Sequence, residues 1–267
     1  MKKVFLSGAS SGIGLAIAQS LIARGDEVWG TSRNLIRLEQ MPRLRPVRLD
    51  LSDGRSIKEA FESALSQAGH FDVVINNAGG GYFGPAEHLS EEEIKKQFQV
   101  LVFGHLQLMR LALTAMRPRG QGLIINVTSL ASRLPVPFMA AYNAAKAAMA
   151  AFTMSIQLEM PDSKVRIVDL QPGDICTAFN DAVIKSSQHD TEYGAKLAKT
   201  WRAVDRNMKE APKPELVARH VLKLIESANP PPRVTLGDAF QTKIAPFIFR
   251  FLPQRVRLWG LKRYYGI

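Results

Sequence analysis

The sequence predicts an α/β fold: a doubly wound parallel sheet of about seven strands, helices on both faces, and a C-terminal helical extension. Three observations carry this. The apolar run Val4-Phe5-Leu6 ends in a glycine-rich turn, Gly8 to Gly14, that opens a helix at Leu15. Apolar strands then alternate with helical stretches, the rhythm of right-handed strand–helix–strand crossovers. No repeat, linker or low-complexity segment divides the chain, so residues 1–240 read as one domain and 241–267 as its tail.

Taken in order, strand, turn and helix over residues 4–23 form a dinucleotide cradle. Gly8, Gly12 and Gly14 let backbone approach a pyrophosphate, and the helix N-terminus offers free N–H groups. Glu27 to Thr31 reads as the second strand, followed by Ser32-Arg33-Asn34. An NAD site would place an acid there for the ribose 2′-hydroxyl; Arg33, with Arg37 one turn on, suits a 2′-phosphate and favours NADPH. Val47 to Leu51 is a third strand, ending at Asp50, which could accept the adenine amino group or serve as a turn or helix-start acid. Residues 57–68 are helical, and Asp72 to Ile75 is a strand apolar enough to lie inside a parallel sheet. It runs into Asn76-Asn77-Ala78-Gly79-Gly80-Gly81.

Ser90-Glu91-Glu92-Glu93 caps a helix expected to run to about Met116. Gly122 to Val127 is the fifth strand, with Thr128 and Ser129 at the C-terminal end where open α/β sheets bind ligands. On the next helix, Tyr142 and Lys146 are four apart and share a face. A cation beside a phenol is expected to pull its pKa from about 10 toward neutrality, fitting it for proton transfer to a carbonyl. Val165 to Leu170 is the sixth strand, ended by Gln171 to Thr177; residues 178–212 are a mostly helical candidate lid; Pro214 to Ser227 is a helix; Arg233 to Gly237 is a last strand.

Composition narrows the classes. Hydrophobic content of 46% is ordinary for a globular chain, and one cysteine, Cys176, excludes an intrachain disulfide or cysteine-rich metal site. The net charge of +11 lacks a dense basic run, so nucleic-acid binding is not expected. Met1-Lys2-Lys3 and the apolar stretch after it superficially imitate a signal peptide, but glycines and serines break that stretch, which points to a cytoplasmic protein. No run is expected to cross a membrane. Beyond Asp238 the tail has no acid, and Lys243, Arg250, Arg255, Arg257, Lys262 and Arg263 interleave with aromatic and aliphatic residues. Such a tail packs on the body or a subunit, or lies on an anionic membrane surface.

With the Gly8–Gly14 turn, Asn76-Asn77-Ala78-Gly79, Ser129, Tyr142/Lys146 and Pro172-Gly173 in order, residues 2–240 resemble the short-chain dehydrogenase/reductase family. The resemblance implies a Rossmann fold, a nicotinamide cofactor and a homodimer or homotetramer. It implies Tyr142 as general acid/base, Ser129 as holder of the substrate oxygen, and Lys146 on the nicotinamide ribose. Gly8, Ser10, Ser11, Gly12, Ile13 and Gly14 would line the pyrophosphate. Arg33 would mark NADPH, and Asp50 and Leu51 would flank the adenine. Asn77, Ala78 and Gly79 would follow the cofactor, with Pro172, Gly173, Ile175 and Thr177 at its nicotinamide end. The expected activity is NADPH-dependent reduction of a bulky, lipophilic ketone or aldehyde. One position departs from the pattern: Leu101 stands where the family's relay asparagine falls in Val100-Leu101-Val102-Phe103-Gly104. Leucine cannot hydrogen-bond a relay water. Gln97, His105 or a backbone carbonyl could support a substitute water, or the chain binds NADP(H) as a sensor or scaffold with little catalysis.

Overall fold

Val4 and Leu6 pack on one side of the central sheet and Phe5 on the other, the two-residue period of a strand covered on both faces. The structure, a computed structural model, describes residues 1–160, 164–185 and 191–267. Its main sheet comprises β1 (Lys3–Leu6), β2 (Glu27–Ser32), β3 (Leu44–Arg48), β4 (Val73–Asn76), β5 (Gln121–Val127), β6 (Lys164–Pro172) and β7 (Arg233–Leu236). The strands lie in the order β3-β2-β1-β4-β5-β6-β7, every neighbouring pair parallel. The fold is the Rossmann-like single domain that the sequence predicts.

One face is covered by α1 (Gly12–Ala23) and α7 (Glu215–Glu226), the other by α2 (Gly54–Ala68), α4 (Gly104–Met116) and α5 (Ala140–Glu159). Between α2 and α4 lies α3 (Glu91–Phe98), whose start is closed by the reciprocal Ser90–Glu93 capping box. The helix α6 (Thr191–Glu210) follows β6, and α8 (Ala245–Phe251) and α9 (Gln254–Tyr265) form the tail. The winding reverses between β1 and β4, so the loops after these two strands meet at the sheet's C-terminal edge. That switch point is where such sheets hold ligands.

Three expectations are corrected. The third strand pairs from Leu44 to Arg48 instead of Val47 to Leu51, because its partner β2 ends at Ser32. As the edge strand, β3 tolerates Pro46, whose missing N–H deprives no inner strand of a bond. The long helix after Ser90 is not uniformly α-helical: a π turn at Gln99–Phe103 interrupts it at Leu101. Finally, the helical stretch Glu91–Arg119 is long and apolar enough to cross a membrane by length and composition alone. Its Leu108, Met109, Ala112 and Met116 instead pack against the sheet. Part of the expected lid, 186–190, lies outside the described residues; most of the remainder is α6.

Candidate active site

The loop after β1 is shaped by what its glycines must pass. Gly8 has φ +72°, and a Cβ on it would lie 2.7 Å from the Ala78 Cα. A Cβ on Gly14 would lie 2.0 Å from the Gly8 carbonyl oxygen, so no larger residue fits without moving the turn. The Asn77 side chain fastens this turn, its Nδ2 donating to the Ser7 and Gly8 carbonyls at 3.0 and 3.2 Å. The Ser7 hydroxyl in turn accepts from the Asn77 and Ala78 N–H groups at 2.9 and 3.1 Å. Ser11, ahead of α1, makes no side-chain cap, and no acid sits in the first helical turn. The positive end of the helix dipole and its N–H groups therefore face the groove lined by Ser10, Ser11, Gly12, Ile13 and Gly14.

At the far end of the groove, Arg33 is exposed after β2, beside Ser32, whose hydroxyl bonds that of Ser10 at 3.2 Å. Across from it, Asp50 accepts from the Ser52 N–H at 2.9 Å and its hydroxyl at 2.7 Å. Burial alone would raise the Asp50 carboxyl, but these bonds, with the charge of Arg33 nearby, hold it below its usual range. Arg33, Asp50 and Leu51 all line the same cavity as the glycine turn. Close-packed glycines and helix N–H groups facing the groove fit a dinucleotide's pyrophosphate.

Ser129, Tyr142 and Lys146, separated in sequence, converge at the end of β5. Ser129 is held by its hydroxyl accepting from the Ala131 N–H at 3.0 Å, and that hydroxyl favours the ionised form of Tyr142. Tyr142 faces the cavity with its ring 5.7 Å from that of Phe179. Lys146 is buried and donates to the Val127 carbonyl at 2.8 Å, its Nζ 5.9 Å from the centre of the Tyr142 ring. The helix bearing both begins just after Phe138, a non-glycine residue at φ +62°. Its carbonyl accepts from Gly84 at 2.8 Å, which helps hold this strained turn at the cavity wall.

The expected drop in the Tyr142 pKa is corrected. Burial pushes the phenol up to about 12; the Ser129 hydroxyl opposes this and the Asp174 charge adds to it. The ammonium of Lys146 does not lower it, because that group is directed at the Val127 carbonyl and is itself brought down to about 8 by burial. Behind Lys146, Asp169 is 1% exposed and favours its charged form. The Asp169 carboxylate also accepts from Thr128, from Gln171 at 2.7 Å and from Arg233 at 2.9 Å.

Leu101 is fully buried in the π turn, packed with Val102 and Ala145. Gln97 is engaged elsewhere: its carbonyl accepts from Tyr82 at 3.0 Å and its amide donates to Gly80 at 2.9 Å. His105 remains. It is 1% exposed, its Nε2 lacks a well-formed hydrogen bond among the described residues, and it feels the charge of Lys146. Burial first, then Lys146, lower its pKa to about 3, against the pull of the Leu101 and Ala78 backbone.

The cofactor groove and the space over Tyr142 form one cavity of about 960 Å³. Ile175, Thr177, Pro172 and Gly173 border it as expected. Trp201 and Met208, from the expected lid, line it too; sequence reasoning missed Leu134 and Met139 and, from the tail, Gln241, Ile248, Leu252, Tyr264 and Tyr265. The tail is latched by polar bonds. The Gln241 Nε2 donates to Asp174 at 2.6 Å and to the Tyr264 hydroxyl at 3.0 Å, which also accepts from Asn207 at 2.9 Å. The interleaved aromatics of the tail were the one signal for this.

Residues 2–188 match the family model described as short chain dehydrogenase. The chain belongs to the short-chain dehydrogenase/reductase family. A curated family relative, a 3-ketodihydrosphingosine reductase of Bacteroides thetaiotaomicron, is 29% identical over 99% of this chain and 98% of its own. A short-chain dehydrogenase structure from Streptomyces avermitilis superposes with a TM-score of 0.83 at 28% identity, covering 98% of this chain and 96% of its own. An alcohol dehydrogenase from Thermococcus sibiricus, solved with 5-hydroxy-NADP, has a TM-score of 0.74 at 28% identity, over 90% and 97% of the two chains. As a short-chain dehydrogenase/reductase, this protein is an oxidoreductase.

Proposed function

We propose that the chain reduces a bulky, lipophilic ketone or aldehyde to an alcohol with NADPH. The observation that carries this is the convergence of Ser129, Tyr142 and Lys146 on the cavity that begins at the Gly8–Gly14 turn. The nicotinamide, when bound, supplies the hydride for the carbonyl carbon. Tyr142 supplies the proton: a phenol held up to about 12 is protonated at neutral pH, the state a donor needs. Ser129 steadies the substrate oxygen, and its hydroxyl favours the phenolate left behind. Lys146, fixed on Val127, would hold the nicotinamide ribose. Arg33 binds the 2′-phosphate, with the groove from Ser10 to Gly14 on the pyrophosphate. The apolar wall of the cavity supports a lipophilic substrate, and the relative named for a sphingoid ketone agrees.

The test measures NADPH and NADH consumption against small and lipophilic carbonyls, with Tyr142→Phe alongside. Turnover with NADPH that falls about 100-fold or more in the variant is expected; a variant retaining most of its activity contradicts the reading. Leu101, buried where a relay polar group is missing, favours a second reading, an NADP(H)-binding sensor or scaffold. NADPH binding without turnover across the panel would select it.

A further inference from the structure

The two tail helices have one side on the cavity and another on solvent. Ile248, Leu252 and Val256 line the cavity. Beside them Phe247 is 67% exposed, Phe251 69% and Trp259 64%. The rings of Phe247 and Phe251, one turn apart, lie 5.2 Å from each other. On α9, Arg255, Leu258, Trp259 and Lys262 fall at the spacing of a single helix face, and all four are exposed. Single exposed apolar residues are ordinary; the adjoining rings of Phe247 and Phe251, with Trp259 exposed on the next helix, are the kind of patch that marks an interaction surface. Every charged side chain after Asp238 is basic.

We propose that α8 and α9 seat the protein on an anionic lipid bilayer, next to the cavity that takes the lipophilic carbonyl. The last clause rests on the carbonyl-reduction reading; the docking does not. Phe247, Phe251 and Trp259 enter the headgroup region, where aromatic side chains bury their rings beside polar lipid groups. Arg250, Arg255, Lys262 and Arg263 lie along the same helices and face anionic headgroups, each basic side chain near the surface strengthening binding about fivefold. A second copy of the chain suits this face less. Self-pairing would bring two all-basic tails together, and like charges across an interface oppose association. A nucleic-acid strand would use the cations but leave Leu258 and Ile248 uncovered.

The experiment uses the full chain with NADPH and vesicles of phosphatidylcholine, with and without phosphatidylglycerol. Sedimentation with the anionic vesicles only, weakened by salt, is expected. Brominated lipid should quench tryptophan emission, and Trp259→Phe should abolish most of that quenching, since Trp29 is buried and Trp201 lines the cavity. The variant Phe247→Asp/Phe251→Asp should lose vesicle binding by about tenfold or more while still reducing a small water-soluble carbonyl, showing that it is folded. No sedimentation of the parent protein overturns the proposal, as does quenching that persists in Trp259→Phe. A shift from dimer to monomer in the double variant, with no vesicle binding by the parent, assigns the face to a second copy; oligonucleotide binding without vesicle binding assigns it to nucleic acid. Failure to reduce any carbonyl, with vesicle binding intact, instead removes the carbonyl-reduction reading and leaves the docking face standing.

Discussion

The ammonium of Lys146 donates to the carbonyl of Val127 at 2.8 Å, tying the middle of α5 to the last residue of β5. The bond sets how far the cation lies from Tyr142 and keeps it out of direct contact with the phenol. Burial leaves Lys146 with a pKa of about 8, so its charge fades as pH rises through that value. With the charged form holding the ribose, kcat/KM for reduction should be level below about pH 8 and decline above it. The Lys146→Arg variant, charged throughout, should be slower but lose that decline. A profile unchanged by the substitution would separate Lys146 from the rate.

Arg33 stands alone as the structural argument for NADPH. Replacing it with aspartate removes a cation for the 2′-phosphate and adds an acceptor for a 2′-hydroxyl. The expected result is a fall in NADPH efficiency of about 10- to 100-fold, the loss of a charge-assisted bond, with NADH less affected or improved. Initial rates with both cofactors decide it.

Asp169 joins Thr128, Gln171 and Arg233 at the floor of the site and is 1% exposed. Asp169→Ala leaves a cation and two polar side chains without their acceptor. The expected cost is about 3 kcal/mol, the lower end for breaking a buried pair because Arg233 is 38% exposed. Urea unfolding of the two proteins measures it. Lys146 also loses the charge that favours its protonated form, so the alkaline decline should move to lower pH.

His105 should make the fold acid-sensitive. Its folded pKa of about 3 lies below the ordinary 6.5, so between these values the unfolded chain binds a proton that the native chain does not. The stability that His105 contributes is complete above about pH 6.5 and is lost as pH falls toward 3. A plot of urea midpoint against pH should slope less steeply in His105→Gln across that window.

What could be read from the sequence follows the range of the interactions involved. Tyr142 and Lys146 were legible as a pair because four residues on a helix is a local spacing. The glycine turn was legible because its neighbours in sequence are also its structural context, strand before and helix after. The direction of the Tyr142 pKa was not, since it depends on enclosure by distant segments and on Val127 drawing the ammonium aside. The π turn escaped too; Gln99 to Phe103 has the apolar character of any buried helix, with no proline or glycine inside it. The cavity wall escaped for a third reason. Gln241 meets Asp174 across 67 positions of chain, a pairing that no periodicity announces.

That separation has an evolutionary consequence. The groove for the cofactor is built mainly from the first half of the chain, whereas Trp201, Ile248, Leu252 and Tyr264 shape the remote cavity wall from the last third. Drift, insertion or recombination within the last third can therefore alter which molecules are admitted while hydride chemistry is inherited intact. Diversification among the chain's descendants would concentrate in the stretch from Trp201 to Tyr265.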